Sequence, residues 1–104
     1  MAFTGGEDHE VTLNDAEDLI KNFQNSSGEE DIKGHFFGKD FLRQVLDQEA
    51  CVGIRVYYAE TAAGEPTVVL VGVDANENDQ TEGYLGNRSK PCPPNCGALG
   101  FLGE

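Results

Sequence analysis

The spacing of apolar residues changes from helical to extended along the chain. Leu13, Ala16, Leu19, Ile20 and Phe23 recur at three- and four-residue intervals, which predicts an amphipathic helix over about 13–24. Thr12 just before it can cap the first turn, and Asp15 follows three residues later. The apolar stripe reads first as a core face, with a groove for a partner helix as its other use. Phe41, Leu42, Val45 and Leu46 repeat the pattern and predict a second helix from near Gly38 to about Gln48, with Phe37 placed to staple against Leu42.

From Cys51 the period becomes two. Val52, Ile54, Val56 and Tyr58 alternate with Cys51, Gly53, Arg55 and Tyr57, and the β-branched and aromatic content suits a pleated strand with its apolar face on the core. Thr67 to Val73 is nearly continuously apolar, so this strand is the more central of the two. Glu60 to Pro66, with Gly64 and Pro66, joins them as a hairpin connection longer than a tight turn. A hairpin alone is marginal in water, and Tyr84 and Leu85 can begin a short third strand. The expected fold is α+β: two N-terminal helices packed on an antiparallel hairpin or small three-stranded sheet, then an irregular Cys-containing tail. Residues 1–10 and 98–104 read as flexible tails around a single domain over 11–97. Asn25 to Gly34, with its acidic run Glu29, Glu30 and Asp31, reads as a polar linker.

Composition narrows the partners. At 104 residues with 38% apolar content, one small core of modest stability is the expectation. Seven Lys and Arg against 19 Asp and Glu leave a net charge of −12. The basic residues are scattered, so nucleic acid and anionic membrane surfaces are excluded as partners on charge grounds. The first use of such a surface is to keep a small protein soluble; attraction of a basic protein is a second. No run of about 20 apolar residues and no secretory signal are visible, so a cytoplasmic protein with reduced thiols is expected.

Four stretches carry candidate chemistry. Gly34 to Asp40, GHFFGKD, has the outline of a phosphate loop, but the glycines are one residue too close and Asp40 stands where Ser or Thr is needed. His35 beside two phenylalanines reads as a part-buried histidine bonded to a backbone carbonyl before it reads as a ligand. Asp74, Asn76 and Asn78 match the first positions of a calcium loop, yet Asp79 and Leu85 replace the required Gly and Glu; a turn held by Asx hydrogen bonds is expected instead. Cys92 and Cys96, in Pro91-Cys92-Pro93-Pro94-Asn95-Cys96-Gly97, read as a rigid turn with free thiols, with two alternatives: half of a zinc site, or a disulfide or redox pair. The candidate metal set is His35, Cys92 and Cys96. No cofactor is implied, and no carboxylate pair or nucleophile with a base marks a catalytic centre.

Taken together, HFFGKDFLRQVLDQEACVGIRVYYA, PTVVLVGVDANEND and PCPPNCG resemble a family of short uncharacterised bacterial proteins of the Bacteroidetes type. The resemblance spans about residues 12 to 97. It implies a complete small protein in which His35, Phe36, Gly38 and the two C-terminal cysteines belong to the shared pattern, and it implies no activity. The functional expectation is a non-catalytic binding or interaction module; the alternative is a metal-binding protein or enzyme using His35, Cys92 and Cys96. Its partner would be a protein or small molecule, and the sheet edge offers a route to a homodimer.

Overall fold

The computed structural model describes residues 2–28, 31–98 and Leu102. Along these the elements are α1 (Leu13–Gln24), β1 (Gly34–Phe36), α2 (Lys39–Leu46), β2 (Cys51–Glu60), β3 (Pro66–Asp74), β4 (Leu85–Gly86) and β5 (Lys90–Cys92). An α+β protein results, with one three-stranded and one two-stranded antiparallel sheet. Two compact units contain them: one formed by residues 2–7 and 37–89, the other by the described parts of 8–36 and 90–104. No helix among the described residues is long and apolar enough to cross a membrane.

The first unit is the hairpin with α2. The strand order is β2-β3-β4, so the continuously apolar β3 is central, as its sequence predicts. The core is Val45 of α2 together with Leu70, Val71 and Val73 of β3. Leu70 pairs with Val56 on β2 and with Gly86 on β4, which puts these three on one face of the sheet; Val71 pairs with Arg55 and Leu85 on the other. On the Leu70 face a Cβ at Gly86 would run into the Phe41 ring, so the missing side chain lets α2 approach the sheet. Phe41 in turn meets Phe37, the residue just before the Gly38 cap, with ring centroids 6.5 Å apart.

The expected apolar face of β2 is only partly buried. A bulge between Cys51 and Gly53 leaves Val52 without a cross-strand partner, which breaks the alternation at the start of the strand. It turns Cys51 towards Gly72, whose Cβ, if present, would lie 3.1 Å from the Cys51 Sγ. Beyond Ile54 the helix runs out. The eight residues of α2 span about 12 Å, whereas the ten of β2 span about 33 Å. Val56 is accordingly 52% exposed and Tyr58 95% exposed, where the sequence suggested a buried stripe.

At the far end, Gly64 takes φ 85°, which glycine enters without a Cβ penalty, and Thr61 N–H donates to Glu65 O at 2.9 Å to close the hairpin. At the near end, residues 3–7, expected within a tail, make specific contacts. Phe3 N–H donates to Ala75 O, and Thr4 and Gly5 N–H donate to the Glu7 carboxylate at 2.8 and 2.9 Å. These donors, Thr4 first, hold the Glu7 carboxyl below its ordinary range.

In the second unit α1 forms over the residues its pattern predicts, and Asp15 N–H donates to the Thr12 side chain at 3.2 Å. Its stripe is not a core face. Leu13, Leu19 and Phe23 are exposed, Ala16 and Ile20 only half-buried. The sheet of this unit is a pair of three-residue strands, Gly-His-Phe and Lys-Pro-Cys, which offers little apolar area to cover a helix of 12 residues. Of the expected linker, Glu29 and Glu30 lie outside the described residues; of the C-terminal tail, only Ala98 and Leu102 lie within them.

The packing sets unequal costs for three substitutions. Leu70→Ala is expected to cost about 2–5 kcal/mol, Gly86→Ala about 1–3 kcal/mol by displacing the Phe41 ring, and Val56→Ala no more than about 0.5 kcal/mol. Urea denaturation with a common m-value checks the order; a costly Val56→Ala would contradict the exposure of this strand.

Candidate functional site

The start of GHFFGKD and the lead into CPPNC, far apart in sequence, meet as strands. β1 and β5 are antiparallel, with Gly34 opposite Cys92, His35 opposite Pro91 and Phe36 opposite Lys90. Lys33 N–H donates to Cys92 O at 2.6 Å and extends the pairing. Pairing of these two segments had no signature in either: β1 has only three residues, and β5 contains a proline. Because neighbouring residues on a strand point to opposite faces, His35 shares the face of Pro91, while Cys92 shares that of Gly34.

The free-thiol expectation for this segment is corrected. Cys92 and Cys96 form a disulfide, with Cα atoms 4.9 Å apart, and Cys51 is the free cysteine. Asn95 N–H and its side-chain amide both donate to Pro91 O, at 2.9 and 3.1 Å, and Gly97 leaves the loop at φ 89°. The chain thus doubles back within four residues, which brings the sulfurs within bonding reach. Of the expected metal set His35, Cys92 and Cys96, two members are bonded to each other, and a thiolate is what a metal would need. Among the described residues no three His, Cys, Asp or Glu side chains converge on a point that could hold a metal ion.

The acidic loop after β3 is an Asx turn, as its sequence predicts. Asp74 Oδ1 accepts from Asn76 N–H at 2.9 Å and Asn78 N–H at 3.0 Å, and Glu77 takes φ 71° to complete the reversal. This loop also delivers Asp79 to the β2 surface. Arg55 Nη1 donates to Asp79 Oδ1 at 2.5 Å and to Glu77 O at 3.3 Å, and the Tyr57 hydroxyl donates to Asp79 Oδ2. The Arg55 guanidinium also lies 5.9 Å from the centroid of the Phe3 ring. Tyr57 foremost, with Asp79, raises the Arg55 pKa further, so its charge is fixed at any pH the protein meets. Sequence reasoning missed this cluster because its members lie on three separate segments.

A second polar cluster ties α2 to the chain before β4. Gln48 donates to Val45 O at 2.8 Å and accepts from Tyr84 N–H at 2.9 Å, while Gln80 donates to Glu49 O at 2.9 Å. A Cβ at Gly72 would sit 2.9 Å from Gln48 Nε2 and 2.6 Å from Gln80 Oε1, so a bare glycine is what admits both amides. Both clusters tie loops to neighbouring elements. What they do is fix the loops and leave the outer part of β2 uncovered: Val56, Tyr57 and Tyr58 are three consecutive exposed residues on an edge strand.

The cystine gives a direct count. A thiol assay in denaturant without reductant should read one thiol per chain, from Cys51, and three after reduction. Opening so short a loop should lower stability by no more than about 2 kcal/mol. Three thiols before reduction would contradict the disulfide.

Compared with known proteins, the chain matches no protein-family model, no curated protein and no solved structure.

Proposed function

We propose that the protein is a non-catalytic interaction module whose binding surface is the outer part of β2. The observation that carries this is the run Val56-Tyr57-Tyr58, exposed on a strand that among the described residues has a neighbouring strand on one side only. Tyrosines suit such a role: they supply large contact area at the cost of few rotatable bonds, and tyrosine is enriched where partners bind. The surface is also held in shape, since Asp79 anchors Arg55 and Tyr57 from across the sheet. A photoreactive phenylalanine at position 58, activated in the cell of origin, should give an adduct of one discrete mass that Val56→Lys abolishes. Equal labelling from position 82, in the loop before β4, would refute the reading.

The alternative, metal binding by His35, Cys92 and Cys96, has the pairing of β1 with β5 behind it, but that register sets His35 and Cys92 on opposite faces, so it requires both the cystine to open and the strand pair to rearrange. A reducing cytosol, the expected compartment, would open the cystine. On this reading the reduced protein takes up one zinc per chain, and Cys92→Ser loses it. Zinc no higher in the reduced protein than in Cys92→Ser would end the metal reading.

A further inference from the structure

We infer that the outer edge of β2 accepts an extended, cationic segment of a partner protein as an added strand. This rests on the interaction-module reading and names its partner. An open strand edge presents a row of backbone N–H and C=O groups, and proteins blunt such edges with brevity, proline, lysine or a bulge. The two edges of the three-stranded sheet differ in this respect. β4 is two residues long and so offers almost nothing to pair with. β2 is ten residues long, contains neither proline nor lysine, and is bulged only at its start, between Cys51 and Gly53.

The one cation on β2 does not guard the edge either. Arg55 is held at Asp79 and Glu77 O, and its guanidinium lies 5.9 Å from the Phe3 ring centroid. From Val56 to Glu60 the strand carries no positive charge, and Glu60 and Glu65 stand exposed where the hairpin turns. The surrounding unit, residues 2–7 and 37–89, has ten carboxylates against Lys39, Arg43, Arg55 and Arg88. A strand arriving here therefore gains from Lys or Arg and is repelled if it is acidic. That disfavours a second copy of this chain, which would set one net charge of −12 against another. Side chains of the added strand would alternate, one set meeting Val56 and Tyr58 and the other meeting Tyr57, which calls for apolar residues between the cations.

The probe is a capped hexapeptide of alternating lysine and valine, titrated into isotope-labelled full-length protein and read by amide chemical shifts. Saturable shifts should centre on residues 56–60 and weaken with added salt, and the alternating glutamate–valine peptide should bind at least tenfold more weakly. Val56→Lys, at an exposed position, should weaken lysine–valine binding at least fivefold while keeping the dispersed amide spectrum of the folded protein. Glu60→Gln with Glu65→Gln should reduce the salt dependence. The inference falls if both peptides bind alike, if the shifts do not saturate, or if Val56→Lys binds as well as the parent. It falls equally if the same amides shift with protein concentration alone and sedimentation shows a dimer, because the occupant is then a second copy. Failure of the peptide alongside a discrete adduct from position 58 would overturn the cationic strand and leave the interaction module standing.

Discussion

The hairpin unit depends on one constraint: β3 must be covered on both faces and both edges, and the chain has little with which to cover it. A strand in which Leu70, Val71, Gly72 and Val73 are all buried tolerates no open side. β2 protects one edge, and the short β4 with the bridge between Val73 and Asp79 protects the other. On the Leu70 face, α2 fits because Gly86 makes room for the Phe41 ring and Gly72 for the two glutamine amides. The loop from Asp74 to Gly83 is therefore part of the packing, and its Asx turn sets where Asp79 and Gln80 land.

Coverage stops where α2 stops, and the outer part of β2 is left exposed. The part of the hairpin beyond Ile54 is stabilised by its own ladder and by the closed turn at Thr61 and Glu65, past the reach of α2. Hydrophobic residues that would fill a core in a longer protein are here presented to solvent. An isolated exposed aromatic needs no explanation; here Val56 and Tyr58 share one exposed face of an edge strand and Tyr57 takes the other. Polar interactions on the opposite side of the strand hold this projection steady: Asp79 takes both the Arg55 and Tyr57 side chains.

The unit containing α1, β1 and β5 solves the small-core problem by other means. Its strands have three residues each, and the Cys92–Cys96 bond and the two hydrogen bonds to Pro91 O fix the turn that follows β5. The cross-link is local to the turn after β5, where hydrophobic area is scarce.

Local signals determined the elements. The helical spacing from Leu13 to Phe23 with Thr12 as cap, the period-two run after Cys51, the unbroken apolar run of β3 and the Asx geometry of Asp74 all act within a few residues, so the chain displays them openly. Whether an apolar stripe is buried is another matter, because burial is a property of what lies opposite. Leu13, Leu19 and Phe23 have the same pattern as a core face, and Tyr58 continues the alternation of Ile54, yet the extent of covering surface leaves them exposed. The bulge at Val52, the pairing of His35 with Pro91, the bond between Cys92 and Cys96 and the meeting of Arg55 with Asp79 were likewise decided by the tertiary structure. Each joins groups by backbone geometry or distance rather than by residue type, and residue type is all that a sequence records.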